Sequence, residues 1–450
     1  MADLVRYDVR NRIAVITIDN PPVNALSPEV WKAVVEQARR ADVDTSVDAT
    51  VVTGAGSTFV AGADINIFKT LRTREQSLAR SAEMHALLMT LEDCAKPVVA
   101  AIHGNALGGG LELAMSCHYR IAAQDAKVGQ PEVLLGLIPG AGGTQRLPRL
   151  TDPATALQMC IDGKPVPAGR AAAAGILDRI VEGDLLGEAI AIARELADRG
   201  ERRRTREIAF DSARAAAGVE ACKRARAGLT GAKGAAAAVA ATDAIEACFT
   251  LPFDAGSLRE REIFADCVTS TESKAQRHLF FAEREAAKIP DIAKDTPVTE
   301  IRRAAIVGAG TMGAGIAMAY ASAGIPVLLK DVDETALARG LATIRKNYDS
   351  SVAKGRLSRE ACERTLALIT PTTTFDGFDA VDIAVEAVFE QMDLKRTTFV
   401  DLGRVTRPDC ILASNTSTLD IDELAQASGR PAQVIGHHYF SPANIMKLLE

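Results

Sequence analysis

Short apolar, β-branched runs that close on glycines alternate with longer amphipathic stretches in the first third of the chain. "IAVITID" (13–19) reads as a buried strand and is followed by a Pro-Pro turn. "ATVVTGAG" (49–56) and "PVVAAIHG" (97–104) repeat the pattern, with helical periodicity between them, which predicts a βα alternation. From residue 151 to 290 the pattern turns helical and alanine-rich, as in "GAKGAAAAVAATDAIEACF". "KIPDIAKDTPVTEI" (288–301) carries two prolines and reads as a linker. The βα alternation restarts at "RRAAIVGAG". The halves share no repeat, so the pattern predicts two different α/β units joined by helices.

Composition narrows the class. A chain of 450 residues, 48% hydrophobic and 24% charged, suits two or more globular domains. A net charge of −6 gives no overall attraction to nucleic acid. The opening Met1-Ala-Asp-Leu4 is too polar to begin a signal peptide, and no apolar run reaches membrane-spanning length. Eight cysteines are scattered singly with no CxxC pair, which reads as reduced thiols in a cytoplasmic-type compartment and gives no metal site. "RRRTRE" (202–207) is a local basic cluster, read as a solvated helix face, with contact to an anionic ligand as the sharper alternative.

"NALGGGLELAMSCHY" (105–119) sets three glycines between a strand and an apolar helix. Gly108 to Gly110 let a ligand approach the backbone, and the first amides of a helix lack internal acceptors and lie at the positive end of its dipole. Such a turn can hold a developing oxyanion; a plain strand-to-helix turn is the bland alternative. Glu112 adds a carboxylate to that apolar helix, and "VGQPEVLLGLIPGAGGTQRL" (128–147) adds Glu132 beside a second glycine-rich turn. Two carboxylates in apolar surroundings suggest acid/base chemistry with raised pKa values.

These residues carry a resemblance. "FVAGADI" (59–65), "ALGGGLELA" (106–114) and "GQPEVLLGLIPGAGGTQRL" (129–147) resemble the crotonase, or enoyl-CoA hydratase, superfamily over roughly residues 5–185. The resemblance implies a ββα spiral fold and an oxyanion hole made by the amides of Ala63 and Gly109 for a thioester carbonyl. It implies that Glu112 acts as base toward water and Glu132 delivers a proton to the α carbon. Ala61, Asp64, Ile65 and Gly140 are the expected substrate contacts. Retention of both carboxylates favours hydration, with enoyl-CoA isomerisation through Glu132 as a second activity.

"AAIVGAGTMGAGIAMAYASAGIPVLLKDVD" (304–333) sets Gly308-x-Gly310-x-x-Gly313 between a strand and a helix, and a second strand ends at Asp331. That context makes the motif a dinucleotide fingerprint. Gly310, with Thr311, Met312 and Gly313 opening the helix, lets the pyrophosphate approach. Asp331 accepts from the adenosine ribose and repels a 2′-phosphate, so NAD is expected rather than NADP. Together with "AVEAVFEQMDLK" (384–395), "LASNTSTLDI" (412–421) and "GHHYFSPANIMKLLE" (436–450), this stretch resembles the L-3-hydroxyacyl-CoA dehydrogenase family over residues 302–450. The resemblance places Glu390 and Lys395 near the nicotinamide ribose and Ser417 on the substrate hydroxyl. It makes His438 the general base and Glu450 its orienting carboxylate, with His437 in a packing role. Ser441 stands where the family usually has Asn.

The resulting expectation is an α/β chain with a crotonase core over 1–185, a helical extension over 186–287, a linker over 288–300 and a Rossmann-type NAD-binding domain over 301–450. The order is that of multifunctional fatty-acid β-oxidation enzymes. Hydration of a 2-enoyl-CoA would be followed by NAD-dependent oxidation to the 3-ketoacyl-CoA. An isomerase, or a non-enzymatic CoA- or NAD-binding module, is the alternative. Acyl-CoA thioesters are the expected partners, with a thiolase downstream, and a monomer or dimer is favoured. The location is expected to be cytoplasmic, with the peroxisome left open. "IMKLLE" reads as a strand cut off at the residue that orients His438. A terminal Glu450 is expected to be frayed. The resemblance also implies a helical domain after the nucleotide-binding domain that closes over the acyl-CoA, and nothing in the sequence corresponds to it, so a longer parent protein and very slow 3-hydroxyacyl-CoA oxidation are expected.

Overall fold

The computed structural model describes residues 4–286, 288–293 and 295–450. The reading of the polar opening residues, and the ends of the expected extension at 287 and of part of the linker at 294, lie outside them. The chain forms two compact units, 1–290 and 291–450.

In the first unit, strands β1 (Val5–Arg10), β2 (Ile13–Ile18), β3 (Ala49–Gly54) and β4 (Val98–Ile102) build most of one sheet. β5 (Asn105–Leu107), β6 (Tyr119–Ala123), β7 (Lys127–Gly129), β8 (Val166–Pro167) and β9 (Arg179–Val181) follow. The main sheet runs β1-β2-β3-β4-β6-β9 and is parallel except for the β1/β2 hairpin. β4, "VVAAI", is buried throughout, as a parallel strand covered on both faces should be. α1 (Pro28–Val43), α2 (Arg74–Glu92), α3 (Gly109–Met115), α4 (Gly143–Leu150), α5 (Pro153–Asp162), α6 (Ala168–Ala173) and α7 (Leu185–Arg199) complete this core.

A smaller sheet, β5-β7-β8, sets the site. β5 and β7 are parallel, with Leu107 opposite Gly129. The Gly108–Gly110 turn and the segment carrying Glu132 therefore leave the same edge side by side. The alanine-rich region forms α8 (Ser212–Leu229), α9 (Ala236–Thr250), α10 (Phe253–Thr269) and α11 (Thr271–Ala286). α9 packs on α4, α5, α8 and α10, and α10 packs on α2 and α4, so the expected core and extension share one unit.

The basic cluster is not a helix face. It is a loop with a short 3-10 turn (Thr205–Glu207). Arg202 donates to the Ala95 carbonyl, Arg203 pairs with Asp178, Arg204 with Glu207, and Arg206 with Asp93. Arg202, Arg203 and Arg206 fasten the loop to the core, and the Arg204–Glu207 pair braces it internally. All eight cysteines are buried and unpaired. No helix among the described residues is long and apolar enough to cross a membrane.

In the second unit, β10 (Ala304–Val307), β11 (Val327–Lys330), β12 (Ile369–Thr372), β13 (Ile383–Glu386), β14 (Ile411–Ser414) and β15 (Val434–Gly436) form one parallel sheet. Its order is β12-β11-β10-β13-β14-β15. α12 (Thr311–Ser322), α13 (Glu334–Ala353), α14 (Arg359–Leu366), α15 (Met392–Val405) and α16 (Ile421–Ala427) are its helices. The order reverses direction between β10 and β13, the switch point where doubly wound sheets bind ligands beyond the strand carboxyl ends.

Candidate active sites

A cavity of about 300 Å³ opens in the first unit, lined mainly by apolar side chains that include Leu26, Trp31, Met84 and Phe264. Gly109, Glu112, Glu132, Ala63, Ala61, Ile65 and Gly140 all line it. Asp64, expected among the substrate contacts, does not. Its carboxylate caps a 3-10 turn (Ile65–Lys69) by accepting from the Asn66 N–H at 3.0 Å. Aspartate before a helical turn satisfies an orphan amide.

The three glycines each answer a different constraint. Gly108 has φ 51°, and a Cβ there would stand 2.7 Å from Glu132 Oε1. A Cβ on Gly110 would lie 2.4 Å from the Val60 carbonyl oxygen, so the start of α3 and the Val60 segment can close only without it. Gly109 is the first residue of α3, and a Cβ on it would lie 3.5 Å from the Ala63 nitrogen. Among the described residues neither the Ala63 nor the Gly109 amide finds an acceptor. Two neighbouring unsatisfied donors on a cavity wall are what an enolate oxygen requires.

Glu112 is 3% exposed, and its Oε1 accepts from the amides of Ala141 and Gly143, each at 2.8 Å. Its Oε2 has no partner among the described residues. Burial, reinforced by the nearby Glu260 charge, pushes its carboxyl up to about 7 against the lowering effect of the two amides. Glu132 opens a 3-10 turn (Glu132–Leu135). Burial, followed by repulsion from Glu112, raises its carboxyl well above the ordinary carboxylate range. With its nitrogen turned toward Glu132, the Gln130 amide donates to both carboxylate oxygens at 3.2 Å. Two carboxyls side by side, both raised above the ordinary carboxylate range by burial and mutual repulsion, are an arrangement for taking and giving a proton.

Gly140 is pinned as well as exposed to the cavity. Its carbonyl accepts from Ser81 Oγ at 2.6 Å, and Phe264 of α10 presses on its Cα. Sequence reasoning missed Ser81, Phe264 and Glu260. One signal was available: the buried residues Gly256, Ser257, Glu260, Ile263, Phe264 and Cys267 follow helical spacing, which puts Glu260 on the inward stripe of α10.

In the second unit the expected residues gather at the carboxyl ends of β10, β11, β13, β14 and β15. Gly308 has φ 105°. A Cβ on Gly313 would lie 1.7 Å from the Gly308 carbonyl oxygen, so α12 packs on the turn only through glycine. Gly310 caps α12, and a Cβ there would meet nothing within 4 Å. Open space thus faces the helix start at Thr311 and Met312, and the first turn of α12 carries no acidic residue. Asp331 follows β11 and accepts from Ala309 N–H at 2.7 Å, which ties it to the glycine turn. This cradle fits the pyrophosphate and ribose of a dinucleotide.

Lys395 is 1% exposed, and its Nζ lies 2.6 Å from Glu386 and 3.2 Å from Glu390. Glu386, which sequence reasoning did not single out, also accepts from Ser414 Oγ at 2.6 Å. Glu390 accepts from Thr416 Oγ1 at 2.6 Å and from Ser417 N–H at 3.0 Å. His438 Nδ1 lies 3.0 Å from Glu450 Oε2. His437 packs edge-on against Tyr439, with ring centroids 4.9 Å apart.

Comparison with known proteins finds two matching families. Residues 8–206 match the enoyl-CoA hydratase/isomerase family, and residues 303–450 match the NAD-binding domain of 3-hydroxyacyl-CoA dehydrogenase. The Arabidopsis thaliana peroxisomal fatty acid beta-oxidation multifunctional protein is 36% identical over 97% of the chain and 61% of its own length. The peroxisomal bifunctional enzyme of Cavia porcellus is 38% identical over 100% of the chain and 62% of its length. That of Homo sapiens is 39% identical over 100% of the chain and 61% of its length. The chain thus spans about three fifths of the length of these relatives. Their names correct one expectation: relatives named peroxisomal or glyoxysomal point to the peroxisome rather than the cytoplasm. The chain thus joins a segment that matches the enoyl-CoA hydratase/isomerase family to one that matches the NAD-binding domain of 3-hydroxyacyl-CoA dehydrogenase, and over its length it is similar to the peroxisomal bifunctional enzymes.

Proposed function

We propose that the first unit adds water to a 2-enoyl-CoA to give the L-3-hydroxyacyl-CoA, and that the second unit oxidises this product with NAD. The observation that carries the first half is the pairing of Glu112 and Glu132 beside two unsatisfied amides on one cavity wall. The thioester oxygen would sit on the Ala63 and Gly109 N–H groups, which stabilise the enolate as negative charge develops. The free Oε2 of Glu112 would take a proton from water as its oxygen bonds to the β carbon. Glu132 would give its proton to the α carbon. The water proton held on Glu112 then restores Glu132 through solvent or directly, so the cycle is balanced.

In the second unit, NAD supplies the hydride acceptor when bound. Gly310 and the start of α12 would hold its pyrophosphate, and Asp331 its adenosine ribose. His438 would take the proton of the 3-hydroxyl, with Glu450 setting the ring orientation, and Ser417 would hydrogen-bond that hydroxyl. Lys395 and Glu390 would border the nicotinamide ribose. A thiolase would consume the 3-ketoacyl-CoA product, and a monomer or dimer is the expected assembly.

The test is to give the purified chain crotonyl-CoA with and without NAD. Loss of enoyl-thioester absorbance without NAD, with NADH formed slowly and only when NAD is added, is the expected result. An unchanged enoyl band overturns the hydratase half, and hydration without any NADH overturns the dehydrogenase half for this chain.

A further inference from the structure

Four consecutive amides in the turn after Gly140 are divided between two buried carboxylates. Ala141 and Gly143 donate to Glu112 Oε1, each at 2.8 Å. Gly142 donates to Glu260 Oε1 at 2.6 Å, and Thr144 donates to Glu260 Oε2 at 2.9 Å. The Thr144 hydroxyl donates to the same Oε2, and His85 Nε2 lies 3.0 Å from Oε1. Glu260 is fully buried on α10, more than a hundred positions along the chain from this turn. Alternate amides therefore point to opposite sides of one strip of backbone. One side grips the carboxylate that faces the cavity, and the other side is gripped by a carboxylate from the helical extension.

This division has a mechanical consequence. Glu112 keeps one oxygen fixed by two donors, which leaves Oε2 aimed for proton transfer. That fixing is only as firm as the backbone between Gly140 and Thr144. Gly142 sits at φ 97°, a conformation with little intrinsic preference in its favour apart from the absence of a side chain. Glu260 supplies the restraint: its four polar contacts clamp the two amides that Glu112 does not use.

We propose that Glu260 is a positioning residue for hydration, holding the 141–144 backbone so that Ala141 and Gly143 fix Glu112, and thereby making the acid/base pair depend on the helical extension. The proposal rests on the hydratase reading given above. A merely structural clamp would serve folding and leave the chemistry of the folded enzyme unchanged; a positioning residue alters both the rate and its pH dependence. The charges facing Glu112 are Glu132 from its 3-10 turn, Glu260 from α10 and Arg146 from α4. Behind them, Glu92 of α2 pairs with Arg146 at 2.8 Å, His85 of α2 contacts Glu260, and the Cys160 thiol of α5 feels Glu132, Glu260 and Glu112. Replacing Glu260 by a neutral group removes a repulsion that holds the proton on Glu112. It also leaves one turn amide without an acceptor.

The experiment uses Glu260→Gln in the full chain, with crotonyl-CoA as substrate across pH 5 to 9 (about two units either side of neutrality). Folding is checked by circular dichroism and melting. The expected result is a kcat lower by on the order of 10²-fold, as for a catalytic group displaced by a fraction of an ångström to one ångström. KM should stay near the parent value, and the acid limb of the rate profile should move to lower pH. A folded variant with the parent kcat and the parent acid limb overturns the proposal. Should Glu260→Gln fail to fold, Thr144→Val removes one hydroxyl donor from the same carboxylate. It is expected to lower kcat with KM unchanged, and a folded Thr144→Val with parent kcat and profile is equally decisive against it. A parent chain that hydrates nothing overturns the functional reading itself, and the proposal falls with it.

Discussion

His438 Nδ1 lies 3.0 Å from Glu450 Oε2, and the same two residues exchange both backbone hydrogen bonds, at 2.8 and 3.0 Å. Tyr439 stands opposite Leu449 in an antiparallel bridge between them. The sequence led to the expectation of a frayed Glu450 at the start of a strand. The structure instead pins that residue by a short ladder to the very histidine it is expected to orient. A side chain whose backbone is fixed in register with its partner loses little further freedom on making the contact.

This pairing predicts an imidazole N–H resonance from His438 that is shifted downfield by its carboxylate acceptor. Glu450→Ala should abolish that resonance in the proton NMR spectrum and leave the second unit folded. Oxidation of L-3-hydroxybutyryl-CoA should fall by on the order of 10²-fold from the parent rate, within the range for loss of support to a general base. An unchanged resonance in Glu450→Ala would show that the carboxylate does not hold the ring.

The acid/base pair predicts a specific pH dependence. Glu112 must be ionised to act as base, and burial raises its carboxyl to about 7. Hydration should therefore climb as pH rises through neutrality, not through the ordinary carboxylate range. The linkage to stability has the opposite sense. A carboxyl whose folded value is raised binds more protons folded than unfolded, so its favourable contribution is complete below the unfolded value and is lost as pH rises through about 7. Melting temperature measured from acid to neutral pH should fall on this account, and Glu112→Gln should flatten that fall. The apparent values belong to the Glu112–Glu132 pair, so Glu132→Gln should displace the same profile.

Asp331 predicts the nucleotide preference. Its carboxylate already accepts from Ala309 N–H at 2.7 Å, which fixes it beside the glycine turn where a 2′-phosphate would be repelled. Calorimetric titration should show tighter binding of NAD than of NADP. Asp331→Ala should narrow the difference, chiefly by weakening NAD. Equal affinities in the parent would remove the role assigned to Asp331.

Lys395 and Glu386 form a pair with side chains 1% and 0% exposed, 2.6 Å apart. Breaking such a pair leaves a buried charge without compensation. Lys395→Met should destabilise the second unit by about 3–5 kcal/mol. Combining it with Glu386→Gln should restore part of the loss, because the uncompensated charge is gone. Denaturant unfolding followed by a probe in the second unit would measure both, and a single variant within about 1 kcal/mol of the parent would contradict the pairing.

Much of both sites was legible because glycine and carboxylate positions carry local information. The Gly108–Gly110 turn, the Gly308–Gly313 turn and the strands feeding them are set by neighbours in sequence, and the β5/β7 register then brings Glu112 and Glu132 together. What escaped the sequence is long-range. Glu260 reaches the catalytic turn from α10, and in "SLREREIF" it looks like one more surface charge. The arginines of 202–206 resembled a solvated face because their acceptors, Ala95, Asp93 and Asp178, lie far away in sequence. Asp64 carries a role its motif did not announce: one carboxylate oxygen accepts from the backbone and side-chain N–H groups of Asn66.

The central claim is that Glu112 and Glu132 together make the first unit a hydratase. The measurement that tests it most directly is the enoyl-thioester absorbance of crotonyl-CoA, compared for the parent, Glu112→Gln and Glu132→Gln, with a 3-enoyl-CoA run in parallel. The account predicts that the parent hydrates the 2-enoyl substrate and that each substitution slows hydration by roughly 10²–10⁴-fold with KM little changed. If either variant hydrates at the parent rate, or if the parent converts only the 3-enoyl substrate, the account of this site is wrong.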